Sequence, residues 1–591
     1  MAYTVSDLII ETLQRAGVRR VYGIPGDSLN GFTDALHHAR TIAWQHVRHE
    51  EAAAFAAAGD AAITGELAVC AASCGPGNLH LINGLYDAHR SRVPVLVVAA
   101  HIPSKEIGGN YFQETHPQEL FRECSTYCEL VSSAKQLPYA LNIALRTAVE
   151  QKDVAVLVIP GDVLLDSVER PALIPSIRTT SPVVRPSDSE LATAADVLNS
   201  ANHVTVLGGA GCSDARPEVL ALADVLQAPI VHAMRGKQFL EYDNPFDVGM
   251  TGLLGFRSGY LAMEQCDALL MLGTDFPYRE FYPRHARVIQ VDLRGDQIGR
   301  RVEVDVPLVG TVKDTIAAIL PRLKAKHRDG HLDRMRAHYV QTRKQLDELA
   351  FNDHNRSPLH PQFVARMVDE IAAEDAVFVA DVGTPVIWAA RYLRMNGKRH
   401  LIGSFSHGSM ANAVPQAVGI QSAQPGRQVV TLSGDGGLAM LFGELITLRQ
   451  LKLPVKIVVF NNASLSFVEL EMKASGFTNF GTDLENPNFS EVAAALGLHS
   501  QRVDHPDDLA DGLRRAFAYD GPALVEVMTA RQELSIPPTI TLEQVKGFSV
   551  YATRAILSGR GDELIDLAET NVLRHVEGLV VGSRASNSSA N

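Results

Sequence analysis

Short β-branched apolar runs alternate with alanine-rich stretches of helical spacing through most of this chain, a pattern that predicts parallel sheets with crossover helices. The runs fall into three groups. The first holds 21–24, 67–70, 93–98 and 154–159, and closes near Pro182, where Ser181-Pro182-Val183-Val184-Arg185-Pro186 reads as an extended linker. The second holds 204–211, 268–275 and 288–292, buried runs ending in Gly or Asp, where open α/β sheets carry ligands. A charged helical stretch at 322–348, followed by Asn352-Asp353-His354-Asn355-Arg356-Ser357-Pro358, leads to the third, with runs at 376–381, 428–433, 455–460 and 523–527. The first and third groups share a layout without a residue-level repeat. Beyond Ile536-Pro537-Pro538 the pattern changes to two helical stretches around Ser558-Gly559-Arg560-Gly561. The expected fold class is therefore α/β: three doubly wound parallel-sheet domains at 1–182, 183–334 and 335–532, plus a C-terminal helical tail at 533–591.

Composition narrows the function classes. The 591 residues suffice for three or four cores, and 46% hydrophobic with 20% charged residues suits a folded globular chain. With 67 acidic against 54 basic side chains, a net charge of -13 and no basic run, nucleic acid is not an expected partner. The opening residues show no basic segment followed by an apolar stretch, and no apolar run approaches the roughly 20 residues that span a bilayer. A cytoplasmic protein is expected, with peripheral membrane contact still open. Cys124 and Cys128 lack the second pair a zinc site needs, so the six cysteines read as buried thiols.

The strongest chemical signal is Gly434-Asp435-Gly436-Gly437 directly after a buried run, with Asn461-Asn462 ending the next one. Adjacent strand ends of one parallel sheet can bring Asp435 and Asn462 together as oxygen ligands for a hard cation, while glycines let backbone approach a diphosphate. Gly-Asp-Gly-Gly alone is a common turn; the Asn pair at a matching strand end is what raises it above one. Asp292, also at a strand end, suits a ribose hydroxyl or a helix cap. Gly208-Gly209-Ala210-Gly211 is only a loose relative of Gly-x-Gly-x-x-Gly, so these residues leave flavin and nicotinamide equally open.

The spacing from Gly434-Asp435-Gly436 to Asn461-Asn462 resembles the signature of thiamine-diphosphate-dependent enzymes. That resemblance implies Mg2+ held by Asp435, Asn462 and Ser464, and a cofactor contacted by Gly408, Ser409, Met410, Gly436, Gly437, Ala463, Ser464, Leu465, Ser466, Phe467 and Val468. Met410 matches the apolar wedge that bends the cofactor, although core packing explains a Met equally well. Within Arg48-His49-Glu50-Glu51, Glu50 matches the catalytic glutamate that a partner chain's first domain sets against the aminopyrimidine ring. By itself it would pass for a helix-start carboxylate stabilised by the dipole.

Longer stretches resemble the bacterial quinone-dependent pyruvate dehydrogenases, or pyruvate oxidases. They include Ser73-Cys74-Gly75-Pro76-Gly77-Asn78-Leu79-His80, the segment from Tyr111 to Phe121, the segment from Tyr242 to Leu253, and Trp388 to Leu393. This implies FAD at Thr251, Gly252, Leu253 and Leu254, at Thr274, Asp275, Phe276, Pro277 and Tyr278, and at Asp292. It places Phe112, Gln113 and Glu471 near substrate, and makes Phe467 an aromatic that moves toward the cofactors. The implied reaction turns pyruvate and water into acetate and carbon dioxide, with electrons passing through FAD to a membrane quinone. A homotetramer and a lipid-binding tail, reversibly associated with the inner face of the cell membrane, come with it. Ile565, Ala568, Val572, Val576 and Leu579 form one apolar stripe at helical spacing. Val572 stands where the resemblance leads one to expect Trp, and the chain continues past Arg574 into a Ser/Asn-rich end. Acetolactate synthase and a non-catalytic nucleotide-binding protein remain the competing readings.

Overall fold

The computed structural model describes residues 3–170, 177, 180–327, 330–354, 357–531 and 550–551. Its strands form three six-stranded, all-parallel sheets. The first contains β1 (Arg20–Gly23), β2 (Ala43–His46), β3 (Ala68–Ala72), β4 (Val95–His101), β5 (Tyr127–Leu130) and β6 (Val154–Pro160). The second contains β7 (Val204–Gly208), β8 (Ile230–His232), β9 (Asp247–Met250), β10 (Ala268–Leu272), β11 (Arg287–Asp292) and β12 (Val306–Val309). The third contains β13 (Val377–Ala380), β14 (His400–Gly403), β15 (Val429–Gly434), β16 (Lys456–Asn461), β17 (His499–Val503) and β18 (Ala523–Met528).

The first and third sheets repeat one topology, β2-β1-β3-β4-β6-β5 and β14-β13-β15-β16-β18-β17, as the shared layout suggested. The middle sheet runs β12-β11-β10-β7-β8-β9, the 3-2-1-4-5-6 order of dinucleotide-binding sheets. Each sheet reverses its winding beside its first strand, and there the chain is too close for side chains. A Cβ on Gly26 would overlap Ser73, one on Gly209 would stand 2.6 Å from the Gly273 carbonyl, and one on Gly437 would overlap the Asp381 carboxylate. Crevices at such reversal points are where open sheets hold ligands.

The first and third sheets are joined within the chain by helix packing. Helix Glu50–Thr64 is nearly all alanine, so its backbone approaches helix Ala413–Ala423 directly. A side chain on Gly59 would overlap the Gln416 carbonyl, and one on Gly419 the Ala56 carbonyl. One hydrophobic core therefore runs through both domains, taking in Ala53, Ala57, Val97, Val379, Ala417 and Val459. Polar bonds line this seam: Tyr22 Oη donates to Asp60 Oδ2 at 2.7 Å, and Gln416 Nε2 donates to Asp87 Oδ2 at 2.8 Å. Arg235 of the middle domain reaches both neighbours, donating to the Ser91 carbonyl at 2.6 Å and to Ser406 Oγ at 3.4 Å.

The expected boundary at 334 falls inside helix His331–Leu349, whose buried His331, Leu332 and Met335 lie at its start. That helix begins nine residues later than the charged stretch suggested. The expected tail at 533–591 lies outside the described residues except for Val550 and Tyr551. Tyr551 is fully buried, with its ring 5.3 Å from Lys473 Nζ. Among the described residues no helix is long and apolar enough to cross a membrane.

Burial raises the Asp87 carboxyl from 3.8 to about 6. Between about pH 4 and 6 the folded chain then holds a proton that the unfolded chain has lost, so this group's contribution is complete below pH 4 and declines as pH rises toward 6. Urea unfolding of Asp87→Asn should be flatter across that window, the parent losing on the order of 3 kcal/mol relative to the variant.

Candidate active site

The first half of the site stands on the first sheet. After β2 the chain is pinned by the Arg48 amide, which donates to Glu444 Oε1 of the third domain at 3.0 Å. His49 then caps helix Glu50–Thr64, its Nδ1 accepting from the Glu51 amide at 3.1 Å. Glu50 is thus the first helical residue, where the positive end of the dipole favours a carboxylate. Its Oε2 meets His80 Nδ1 at 2.9 Å, and its Oε1 would lie 3.2 Å from a Cβ on Gly77. Gly77 belongs to the turn from Ser73 into helix Pro76–Ser91. Gly75 adopts φ 63° there, and a Cβ on it would lie 2.8 Å from Gln113 Cβ. Gln113 itself has φ 64° and accepts from the Cys74 thiol at 3.4 Å. Glu50, Phe112 and Gln113, distant in sequence, therefore surround one glycine turn, with Phe112 78% exposed.

The second half is built at the reversal point of the third sheet. Asp435 opens a short helix after β15 and is buried, which raises its carboxyl. Three donors hold it: the Gly436 amide at 2.8 Å, the Asn462 amide at 3.2 Å and Asn486 Nδ2 at 2.8 Å. Asn462 Oδ1 accepts from the Ser464 amide at 3.2 Å, and Ala463 between them takes φ 53°. The structure thus brings Asp435 and Asn462 into contact, 27 residues apart. Ser464 is buried, and its hydroxyl donates to Glu469 Oε2 at 2.7 Å. A Cβ on Gly436 would approach Leu465 at 2.8 Å, Leu484 at 3.2 Å and Met410 at 3.6 Å, so the predicted wedge converges on the glycine cradle. Buried oxygen ligands beside backbone that tolerates no side chain suit a hard divalent cation carrying a diphosphate.

The loop carrying Met410 is tied to the first domain through Asn83. Asn83 Nδ2 donates to Glu51 Oε1 at 2.7 Å and to Ser409 Oγ at 2.8 Å, while its Oδ1 faces His407 Nε2 at 2.9 Å. A carboxylate only accepts, so Glu51 fixes the amide orientation and makes His407 the Nε2 donor. Gly408, at φ 80°, and Ser409, whose amide donates to Ser404 Oγ at 3.0 Å, complete this turn.

Phe467 is half-buried against the third core, Val468 is exposed, and Ser466 Oγ accepts from Asn462 Nδ2 at 2.9 Å. Glu471, on the same helix Ser466–Ala474, is exposed as a residue, yet desolvation raises its carboxyl. It also helps raise the Tyr278 hydroxyl, which burial raises most. Leu254 of the segment predicted for FAD and Phe467 of this helix pack against the same third-domain core.

Within the middle crevice, Thr251 is buried and its hydroxyl has no hydrogen-bond partner among the described residues. Gly252 takes φ 92°, with a Cβ there 2.8 Å from the Phe276 ring. Leu253 and Leu254 are partly buried, and the Leu254 carbonyl accepts from Arg391 at 3.3 Å. Asp292 is buried at the end of β11, its carboxyl raised by burial and accepting from the Arg294 amide at 2.9 Å. An orphaned hydroxyl, a buried strand-end carboxylate and the Gly209–Gly273 crossing beside Thr274 fit a dinucleotide. Other members of the set have structural occupations: Asp275 pairs with Arg301 at 3.2 Å, Phe276 packs in the core, and Pro277 is exposed.

Among the described residues, no hydrogen bond or ion pair links Glu50 to Asp435 or Asn462. Sequence reasoning assigned no role to His80, Asn83 or Asn486. Asn486 follows Leu484, whose amide returns to the Ala463 carbonyl at 2.9 Å, and only that fold-back brings its amide to Asp435.

Asn486→Ala should raise the Mg2+ concentration needed for thiamine diphosphate binding by about 10–100-fold, as loss of a ligand-orienting partner does, measured by cofactor titration. Gly77→Ala should weaken activity without lowering the thermal midpoint by more than about 2 °C, because the new methyl presses on Glu50 rather than on the core.

Comparison with known proteins agrees with this anatomy. Residues 3–120 match the thiamine pyrophosphate enzyme N-terminal TPP binding domain, 191–319 the central domain, and 381–527 the C-terminal TPP binding domain. YdaP of Bacillus subtilis (strain 168), whose name assigns it thiamine pyrophosphate, is 35% identical over 96% of this chain and 98% of its own. Pyruvate oxidase of Lactiplantibacillus plantarum is 30% identical over 88% of this chain and 87% of its own. The acetolactate synthase isozyme 2 large subunit of Escherichia coli (strain K12) is 30% identical over 88% of this chain and 94% of its own. With all three domains matched in order, this chain belongs to the thiamine pyrophosphate enzyme family.

Proposed function

We propose that this protein oxidatively decarboxylates pyruvate to acetate and carbon dioxide and passes two electrons through FAD to a membrane quinone. The observation that carries the reading is Leu254, in the segment assigned to FAD, packed on the same third-domain core as Phe467, with its carbonyl accepting from Arg391 at 3.3 Å. Electron transfer needs those two sites adjacent. Thiamine diphosphate, when bound, supplies a nucleophilic thiazolium carbon and a cationic ring that accepts the electrons released with carbon dioxide. Asp435, Asn462 and the Ser464 backbone would hold Mg2+, Met410 would support the cofactor from the Gly436 side, and Glu50 would hold and move a proton at the aminopyrimidine. Thr251, Asp292 and the Gly209–Gly273 crossing would receive FAD. Phe112, Gln113, Phe467 and Glu471 would line the substrate space.

A homotetramer of paired chains follows from the same reading, because a partner's Asp435 half-site would complete each Glu50 half-site. The exposed Phe112 and Met440 support such a covered face. Quinone is apolar, so the enzyme would work from the cytoplasm while visiting the membrane, and the stripe at Ile565, Ala568, Val572, Val576 and Leu579 would make that contact. The Tyr551 ring, 5.3 Å from Lys473 Nζ of the Ser466–Ala474 helix, supports a tail that starts against that helix.

Carboligation of the acetolactate synthase type is the second reading, favoured by the kinship reported above. Purified protein with pyruvate, thiamine diphosphate, Mg2+ and an artificial electron acceptor distinguishes the two. Flavin bleaching and acceptor reduction that need both pyruvate and thiamine diphosphate are expected; acetolactate without acceptor reduction would overturn the oxidase. Glu50→Gln should lower kcat by about 10²–10⁴-fold, and an unchanged rate would remove Glu50 from the mechanism.

A further inference from the structure

Glu50 is positioned to exchange a proton with bound cofactor, yet its own route to water is narrow. Its side chain is 12% exposed, whereas that of His80, bonded to it at 2.9 Å, is 46% exposed. We propose that His80 relays protons between Glu50 and solvent, acting as a positioning and proton-exchange residue of the thiamine diphosphate site. The proposal rests on the family role of Glu50 and not on the reaction proposed above.

The local chemistry suits one travelling proton. Glu50 Oε2 accepts, so neutral His80 carries its proton on Nδ1 and leaves the Nε2 lone pair for water. Water protonates Nε2, the Nδ1 proton moves to Glu50, and the ring remains neutral with its proton on Nε2. In reverse, Glu50 returns its proton to Nδ1 and Nε2 releases one to water. Only O–H and N–H bonds form or break.

The ring is held for this task by stacking on His49, with centroids 4.3 Å apart and planes 26° apart. His49 cannot compete for the proton: its Nδ1 is committed to the Glu51 amide, and burial followed by the neighbouring His80 lowers its pKa. The titratable groups facing the pair are thus His49 and Glu51, one kept neutral and the other occupied by Asn83 at 2.7 Å. Gly77 closes the opposite side of the carboxylate without a side chain of its own.

The test uses the full chain with thiamine diphosphate and Mg2+ and no pyruvate. Exchange of the thiazolium carbon's proton with deuterated water is followed by acid quench and NMR, alongside the cofactor Kd, for the parent, His80→Asn, His80→Ala and Glu50→Gln. Both His80 variants should bind cofactor within about threefold of the parent but exchange about 10²-fold more slowly, the scale of a lost acid–base group. Added imidazole should restore exchange in His80→Ala and leave Glu50→Gln unchanged. Parent-like exchange in His80→Asn would overturn the relay, since a hydrogen bond would then suffice. So would loss of cofactor affinity in both variants with no imidazole rescue, which would make His80 purely structural. Failure to reduce an acceptor with pyruvate would strike the proposed reaction and leave this result standing.

Discussion

Backbone contact between helices Glu50–Thr64 and Ala413–Ala423 is the constraint on which the rest of the structure depends. Where Gly59 meets Gln416 and Gly419 meets Ala56 there is no room for a β-carbon, so the helices have one separation and one register. Close packing of this kind gains dispersion along its length and resists sliding, because any shift drives carbonyl into methyl. The start of the first helix carries Glu50, and the loop before the second carries Met410. Fixing one helix on the other therefore fixes the Glu50 carboxylate relative to the Met410 loop, with no direct bond between the two side chains.

Asn83 converts that steric constraint into a polar one. Its amide has two donors and one acceptor, and all three are spent on Glu51, Ser409 and His407. A partly buried carboxamide bonded through both hydrogens and its oxygen tolerates few alternatives, since breaking one bond leaves a polar group poorly solvated in the seam. Tyr86 stacks on His407 at 5.5 Å and keeps the ring turned toward Asn83. Small motions of the first domain thus reach Gly408–Met410 through this bonded amide.

The sequence made the interior legible and the margins obscure, for a physical reason. Strands buried on both faces, such as β4, β6, β15 and β16, are continuous apolar runs that need no context to recognise. The edges β5, β12, β14 and β17 are short and half exposed, and carry Tyr127, Pro307, His400 and Arg502 in place of such a run. None was predicted. The same division holds at the site. Asp435 and Asn462 follow strands whose pairing in a parallel sheet makes their approach a matter of geometry. Asn486 reaches Asp435 only after a loop folds back, and His80 meets Glu50 across two helices, so neither leaves a local trace. The bond from the Ser464 hydroxyl to Glu469 joins two residues of one turn and helix, and the motif gives no sign of it.

Repeating one topology twice also explains how this chain divides its labour. In the first sheet the reversal point carries Gly26 against Ser73, whose neighbours bind one another: Ser28 Oγ bonds Ser73 Oγ at 2.8 Å and accepts from the Cys74 amide at 3.0 Å. Those hydroxyls already satisfy one another. In the third, the equivalent crevice carries Asp381 and Asp435, both raised by burial, Asp381 to about 7. Two carboxyls that burial makes reluctant to ionise are a site whose charge is unfavourable until a cation arrives, since a divalent ion reverses the penalty of desolvation. Identical strand order therefore yields a cluster of mutually bonded hydroxyls beside the Glu50 turn in one sheet and a pair of buried carboxyls in the other. The difference lies in side chains at strand ends, the one place where a doubly wound sheet can change its chemistry without disturbing its core.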